Sequence, residues 1–142
     1  VAVKGANFLQ SMEFTGIALV VSLILLSALV DLFVISGSAK WLVLAPIFVP
    51  MFGLLGYEPA LTQAAYRIGE SSVNSVTPLN YYVPVMLGIM AHYMKDDTKA
   101  GMGTLMATQI PYALAFLVSW TLWLVLFIVF NLPLGPGAKI FL

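Results

Sequence analysis

Tyr66–Pro78 reads Tyr-Arg-Ile-Gly-Glu-Ser-Ser-Val-Asn-Ser-Val-Thr-Pro, and it places two charges and a row of small polar side chains inside a very apolar region. Arg67 and Glu70 are three residues apart, so they share one face of a helix and lie close enough to pair. The Ser, Asn and Thr residues that follow favour caps and turns, because their side chains compete for backbone hydrogen bonds. Pro78 suits the first turn of a new helix, with Thr77 as its N-cap. The pattern predicts a broken membrane helix, with one half ending near Glu70 and the next beginning at Pro78.

The composition is that of an integral membrane protein. Hydrophobic residues make up 61% of the 142 residues and charged residues 8%, whereas soluble domains carry about 25% charged residues. The net charge is zero, so nothing indicates nucleic-acid binding, and there is no cysteine for a disulfide or a thiolate metal site. The chain begins with Val rather than Met, and we expect it to be a fragment of a longer protein. At about 20 residues per span, it holds at most roughly four to five crossing or re-entrant pieces.

Two apolar arms precede the polar stretch and predict a helical hairpin over residues 14–55. The second arm, Trp41–Leu55, contains Pro46 and Pro50, which predict kinks. Ser36–Ala39 between the arms is a turn signal. Two geometries are open: two full spans joined by an external loop, or a re-entrant hairpin whose tip lies inside the protein. The lengths of the arms favour two full spans, because each arm is long enough to cross.

The region from residue 59 to residue 94 predicts the broken helix itself. As one straight helix it would be about 54 Å long, well beyond a hydrocarbon core of about 30 Å. A break over residues 71–77 removes that excess. Non-helical backbone at membrane depth is tolerated only where protein covers it or water reaches it, so the break is expected to line a cavity. Residues 103–130 predict a further transmembrane helix, and the whole of residues 1–142 is interpreted as one membrane domain.

The break also predicts a binding site. Charged residues near a bilayer centre cost roughly 2.5–3.5 kcal/mol, so they are rare and usually functional. The planar fork of Arg67 matches carboxylates, and Glu70 could carry a proton or hold a cation. Half-helices that end at such a gap direct opposite dipole ends into it, which is how many secondary transporters build their midplane sites. The competing interpretations are a structural ion pair and a proline kink whose hydroxyls satisfy the backbone.

The turn of the hairpin is the second candidate region. Its hydroxyls and carbonyls would complete an ion site, while Trp41 would stack on an aromatic substrate. Without other information, a loop turn with a snorkelling Lys40 and an interfacial Trp is favoured. The lone His92 has no partner at metal-ligand or nucleophile–base spacing, which argues against an enzyme. The candidate ion ligands are Ser36, Gly37, Ser38, Glu70, Ser71, Ser72, Asn74 and Thr77.

Six motifs occur in one order along nearly the whole chain: Ser36-Gly-Ser-Ala-Lys-Trp41, Ala45-Pro-Ile-Phe-Val-Pro-Met51, Leu55-Gly-Tyr-Glu-Pro59, Gln63-Ala-Ala-Tyr-Arg-Ile-Gly69, Thr77-Pro-Leu79 and Leu132-Pro-Leu-Gly-Pro-Gly137. Together they resemble the carboxy-terminal half of the p-aminobenzoyl-glutamate transporter (AbgT) family. The resemblance implies an all-α ion-transporter-superfamily fold with two inverted repeats, each carrying a re-entrant hairpin and a broken helix. It therefore changes the expectation for residues 14–55 to a re-entrant hairpin.

The resemblance also implies a function and partners. It implies a multi-pass homodimer in the bacterial inner membrane that takes up p-aminobenzoyl-glutamate or exports sulfonamide antimetabolites, driven by a sodium or proton gradient. The expected partners are an anionic aromatic solute, the lipid bilayer and the amino-terminal half of the transporter. No cofactor is expected, and sodium is a candidate coupling ion. The substrate-binding residues expected from the resemblance and the break are Trp41, Pro59, Arg67, Glu70, Asn74 and Pro78.

Two positions depart from the family pattern. The family usually has Asp where this chain has Glu70, so an extra methylene moves the carboxylate. The family often has Thr where Val73 stands, which removes a hydroxyl from the break, although Ser75 adds one nearby. Two rival functions stay open: a di- or tricarboxylate transporter of the same superfamily, and a non-transporting membrane scaffold.

Overall fold

The computed structural model describes residues 2–11, 16–34, 36–94 and 101–142. Within these ranges the fold is built from helices, and the only extended pairings are two isolated bridges. The predicted all-helical class is therefore confirmed. The helices of the described ranges are α1 (Ala2–Ser11), α2 (Ile17–Asp31), α3 (Gly37–Leu54), α4 (Pro59–Val73), α5 (Val83–Tyr93) and α6 (Met102–Val129).

Two of the described helices, α3 and α6, are long and apolar enough to cross a membrane. Only 17% of the apolar window of each is buried against other parts of the chain, so both leave wide apolar faces for lipid or for further protein. The helix predicted at residues 103–130 agrees with α6 to within one residue at each end. Pro111 lies inside α6.

Helices α2 and α3 form the predicted hairpin. Asp31 at the end of α2 pairs with Lys40 in the first turns of α3, and Leu19 near the start of α2 borders Met51 near the end of α3. The two arms therefore run antiparallel. The described α2 has 15 residues, or about 22 Å, which is short of a hydrocarbon core of about 30 Å.

This length favours the re-entrant hairpin over two full spans. The first two residues of the predicted hairpin, 14 and 15, lie outside the described residues, as does Ile35 in the turn. Helix α3 continues through both Pro46 and Pro50.

Helix α4 packs closely along α2. A Cβ atom on Gly69 would lie 2.8 Å from the Ser27 Cβ and 2.9 Å from the Ala28 backbone nitrogen, so only glycine permits this approach. The buried Ser27 hydroxyl donates to the Tyr66 carbonyl at 2.7 Å. This contact fixes the part of α4 that carries the predicted ion pair.

The break follows α4, but its two edges lie later than predicted, over residues 74–82. The helix does not stop near Glu70. It continues through Ser71 and Ser72, whose hydroxyls lie 3.4 and 2.7 Å from the Ile68 carbonyl. Back-bonding of this kind lets serine remain in a helix, and it explains why the polar run did not end α4.

Pro78 does not begin the next helix, which is a second correction. It occupies the second position of a turn closed by the Asn80 N–H, which donates to the Thr77 carbonyl at 3.1 Å, and the fixed φ of proline suits that position. Thr77 is not an N-cap. Its buried hydroxyl lies 3.3 Å from the Asp31 carbonyl oxygen and 3.2 Å from that of Val73.

The segment after α6 returns to the start of α4. The Glu58 N–H donates to the Ile140 carbonyl, and the Leu142 N–H donates to the Gly56 carbonyl, both at 3.0 Å. Ile140 is buried in the main core beside Leu61. The predicted opening of a helix at Pro59 is confirmed. The hydrophilic loop at residues 95–99 lies outside the described ranges.

Candidate functional site

The predicted pair of charges forms on α4. The Arg67 Nη1 donates to the Glu70 Oε2 at 2.8 Å. The Arg67 side chain is half exposed, whereas that of Glu70 is 10% exposed. Since Glu70 uses one nitrogen of a guanidinium that carries five N–H donors, the fork of Arg67 retains donors for an incoming anion.

The hairpin tip packs directly against the Glu70 side chain. Gly37 is the first residue of α3, and its Cα lies so close to the Glu70 carboxylate that a Cβ would collide with it. The N-terminal end of α3, whose first backbone N–H groups have no partner within the helix, therefore lies against the Glu70 carboxylate. The Tyr66 hydroxyl donates to the Gly37 carbonyl at 2.7 Å. The tip therefore lies against the middle of α4, where the sequence pattern alone had favoured an external loop.

An open pocket of about 410 Å³ lies over the pair. We call it the α4–α6 pocket, because its lining combines one face of α4 with a tryptophan of α6. Its volume falls within the range of about 300–1,000 Å³ that is typical of small-molecule sites. The described residues that line it are Arg67, Ile68, Glu70, Ser71, Asn74 and Trp120.

Four of the predicted site residues thus meet at one place. Arg67, Glu70, Ser71 and Asn74 follow helical spacing, so they share a face at the end of α4. Asn74 is the C-cap of α4, and its carbonyl accepts from the Asn80 amide at 2.8 Å. The pocket therefore combines a cation, an anion, an amide and a hydroxyl beside the break.

Other predicted residues are placed elsewhere. Ser72 is buried, and its hydroxyl is bonded within α4. Ser36 caps α3, accepting from the Ala39 N–H at 3.4 Å, and Ser38 is exposed. Pro59 begins α4 eight residues before Arg67, or about 12 Å along the axis.

Trp41 also lies outside the described lining of the α4–α6 pocket. Its ring centroid is 4.9 Å from that of Tyr66. It borders a different surface depression on α3, next to Pro46 and Pro50. Pro78 is exposed in its turn. The structure therefore does not bring Trp41, Pro59 or Pro78 to the charged pocket.

A buried ion pair beside the tip of the hairpin was not predicted. Lys40 Nζ bonds Asp31 Oδ1, with side chains that are 3% and 0% exposed. This corrects the interpretation of Lys40 as a snorkelling lysine. A signal was present in the sequence, because Asp31 and Lys40 are the only charged residues between 14 and 55, have opposite signs and flank the turn.

Two further residues were missed for a different reason. Trp120 lines the same pocket as Arg67 only because α6 packs against α4, and nothing local in the sequence indicates that proximity. Asn80 is buried and closes the break through its amide, and its Oδ1 accepts from the Tyr82 N–H at 2.9 Å. Its role depends on the turn that Pro78 makes.

The arrangement suits recognition of an anionic solute. The half-exposed guanidinium can receive a carboxylate in its free donors. The Glu70 carboxylate and the Asn74 amide offer oxygen atoms to a small cation or a proton at the same site. Anion and cation recognition are therefore adjacent on one helical face, beside backbone that is not helical.

Comparison with known proteins places the chain among membrane transporters. The sequence matches the family described as the AbgT putative transporter family over residues 1–142. It is 44% identical over 137 residues to the p-aminobenzoyl-glutamate transport protein of Escherichia coli (strain K12), covering 96% of this chain and 26% of that protein.

Two solved structures are similar to the fold. The YdaH transporter of Alcanivorax borkumensis, described as having an unusual topology, is 44% identical with a TM-score of 0.89, covering 95% of this chain and 28% of that one. MtrF of Neisseria gonorrhoeae, described as illuminating a class of antimetabolite efflux pumps, is 43% identical with a TM-score of 0.83, covering 96% of this chain and 27% of that one. The chain thus spans about a quarter of the length of these relatives.

Proposed function

The chain belongs to the AbgT putative transporter family, and from this premise we propose that it is the second-repeat part of a secondary transporter for p-aminobenzoyl-glutamate and related solutes. The observation that carries the proposal is the half-exposed Arg67 paired with Glu70 at an open pocket beside a helix break. The pocket leaves the pair accessible to a solute, as a binding site requires.

Arg67 and Glu70 have separate tasks in this proposal. Arg67 attracts a carboxylate of the solute through its free donors. Glu70, held against the start of α3, links the solute site to the hairpin tip. Binding of sodium or a proton at Glu70 would neutralise the carboxylate and weaken its attraction to the positive end of α3. The tip could then move relative to α4, which is the kind of gating that secondary transporters use around a fixed site.

The identity of the coupling ion is part of the proposal. Sodium fits a site of oxygen atoms, which Glu70 and Asn74 supply, and the hydroxyls and carbonyls of the tip would complete it. A proton needs only the Glu70 carboxylate. Both ions are cargo here rather than resident groups, so the gradient that drives uptake distinguishes them.

The experiment is uptake of labelled p-aminobenzoyl-glutamate into proteoliposomes containing the full-length protein of which this chain is a part. The wild type and Glu70→Ala are compared under an imposed sodium gradient and under an imposed proton gradient. Glu58→Ala is the matched control, because Glu58 precedes α4 and lies at the end of that helix opposite the pocket. We expect gradient-driven uptake in the wild type and in Glu58→Ala, and its loss in Glu70→Ala.

The opposite results are equally informative. Uptake that survives in Glu70→Ala would remove Glu70 from the coupling step. Absence of uptake under either gradient, with folded wild-type protein, would overturn the solute assignment. Uptake of labelled succinate or citrate that is not inhibited by p-aminobenzoyl-glutamate would favour the rival carboxylate transporter. If no solute is transported and no solute changes the stability of the protein, the non-transporting scaffold is favoured.

A second candidate function is efflux of sulfonamide antimetabolites. The similarity to MtrF favours it, and the chemistry is compatible, because sulfonamides share the p-aminophenyl group of p-aminobenzoyl-glutamate. Proteoliposomes loaded with a labelled sulfonamide test it directly. Gradient-dependent release that is lost in Arg67→Ala would support transport of both solutes through one pocket.

We also propose the setting of the complete protein. Its remaining length supplies the amino-terminal half, the assembly is a homodimer, and its location is the bacterial inner membrane. The wide apolar faces of α3 and α6 support a multi-pass membrane protein. The mass of the detergent-solubilised full-length protein, corrected for bound detergent, tests the dimer.

A further inference from the structure

We propose that Trp120 is the side chain that packs against the aromatic ring of the solute in the α4–α6 pocket. The inference rests on the proposed function and adds a specificity-determining residue to it. It also assigns a different role to Trp41, the tryptophan that was predicted from the sequence to make this contact.

Trp120 is placed where a ring is needed. Among the described lining residues of the α4–α6 pocket, Trp120 alone comes from α6 and Trp120 alone is aromatic. It lines the pocket together with side chains of α4 that include Arg67. A solute whose carboxylate binds the guanidinium would therefore extend its other end across the pocket toward the indole. An offset or edge-to-face ring contact there adds about 0.5–1.5 kcal/mol beyond the buried area.

The exposure of Trp120 is consistent with a ligand contact. Its side chain is 49% exposed, although it lies beside two charged groups and an open cavity of 410 Å³. Because Trp120 is among the lining residues, part of its exposed surface borders the pocket that also contains the free donors of Arg67.

Trp41 has a different environment. Its ring packs on Tyr66, with centroids 4.9 Å apart and planes tilted by 37°. Tyr66 is buried and bonded to Gly37, and the Arg67 guanidinium carbon lies 5.9 Å from its ring centroid. Trp41 therefore acts on the pocket through Tyr66, as a positioning residue, and does not face the solute.

The neighbouring tryptophan of α6 provides a matched control. Trp123 is three residues from Trp120 and similarly exposed, at 55%. Its ring packs 5.7 Å from that of Phe127, centroid to centroid, and it is absent from the described lining of the pocket. Removing Trp123 takes the same side chain from the same helix without touching the proposed contact.

The test is equilibrium binding to the full-length protein in detergent, with p-aminobenzoyl-glutamate and N-acetylglutamate as probes. Both probes carry the same two carboxylates, but only the first has a ring. We expect Trp120→Leu to weaken p-aminobenzoyl-glutamate binding on the order of tenfold, and to leave N-acetylglutamate unchanged. Trp120→Phe should restore most of the lost affinity. Trp123→Leu should bind both probes as the wild type does.

Three outcomes would overturn the proposal. Equal loss of both probes in Trp120→Leu would mean that the residue only supports the pocket. Equal effects of Trp120→Leu and Trp123→Leu would mean that α6 packing, rather than the contact, is measured. Equal affinities of Trp120→Leu and Trp120→Phe would mean that no ring contact exists. A wild type that binds neither probe would instead overturn the proposed function, so the two failures are distinct.

Discussion

The two ion pairs among the described residues differ in what surrounds them. The pair of Asp31 and Lys40 joins the two arms of the hairpin and is almost completely buried, whereas Arg67 in the other pair is half exposed at a pocket. A buried pair is costly to break, because the remaining charge is left without a partner. A partly exposed pair contributes little to stability but can exchange its partner for a ligand. The first pair therefore holds the fold, and the second is available for function.

Asp31 also joins the hairpin to the break, through its backbone carbonyl. The carbonyl of Asp31 accepts from the Thr77 hydroxyl at 3.3 Å, and the second carboxylate oxygen of Asp31 is buried without a hydrogen-bond partner in the described residues. The turn of the hairpin is thus anchored to residues 74–82 by the same residue that neutralises Lys40. A change at Asp31 should therefore affect both the hairpin turn and residues 74–82.

Breaking the buried pair should have the largest effect on stability. We expect Lys40→Met to lower the free energy of unfolding of the full-length protein by about 3–5 kcal/mol, because it leaves the Asp31 carboxylate buried and unpaired. Unfolding in a denaturing detergent series measures the change.

The double variant Asp31→Asn/Lys40→Met is the control for that change. It removes both charges, so it should recover a large part of the loss. Equal destabilisation in the single and double variants would show that the volume of the lysine, rather than the pair, is what matters, and the contrast between the two ion pairs would then be lost.

The close contact of α2 and α4 should come next in magnitude. Gly69→Ala puts a methyl group against the Ser27 Cβ and the Ala28 backbone, and we expect a loss of roughly 1–3 kcal/mol from overpacking. Gly53→Ala in α3 is the matched control, because its Cβ would meet nothing within 4 Å. Alanine there should be neutral or stabilising, by up to about 1 kcal/mol. If Gly69→Ala does not lower the free energy of unfolding, α4 is free to shift on α2, and the pair of Arg67 and Glu70 has no rigid support.

The hydrogen bond between the hairpin tip and α4 should have a smaller effect. Tyr66→Phe removes the donor to the Gly37 carbonyl, and we expect a loss of about 0.5–1.5 kcal/mol in the free energy of unfolding. Tyr112→Phe, on an exposed part of α6, should change nothing. Transport measured in the same variants tests whether the tip must stay against α4: unchanged transport in Tyr66→Phe would exclude this bond from gating.

The sequence was sufficient for features that depend on local spacing. Arg67 and Glu70 pair because they are one helical turn apart, and α4 begins at Pro59 because proline suits a first turn. The edges of the break were not predictable in the same way. Serine is ambiguous in a helix, and here Ser71 and Ser72 remain in α4 with their hydroxyls bonded to the Ile68 carbonyl.

Contacts between distant segments were beyond local reasoning. Trp120 and Arg67 are 53 positions apart, and which tryptophan faces the pocket depends on how α6 crosses α4. The Asp31–Lys40 pair is an intermediate case. Its two charges flank a predicted turn, so an antiparallel hairpin would have suggested the pairing. The expectation of an external loop concealed it, because a lysine beside such a loop has water as an easier partner.

The smallest effect on stability should accompany the loss of the partly exposed pair of Arg67 and Glu70. We expect Arg67→Ala to change the free energy of unfolding by less than about 1 kcal/mol, because the guanidinium is half exposed and the Glu70 carboxylate keeps its contact with the start of α3. Transport should nevertheless be lost. Arg67→Lys keeps the charge without the planar fork, so partial transport in that variant would point to attraction alone, and none would point to bidentate binding of a carboxylate. The contrary result is that Arg67→Ala destabilises the protein as strongly as Lys40→Met. Both pairs would then be structural, and Arg67 would no longer be the residue proposed to bind the solute carboxylate in the α4–α6 pocket.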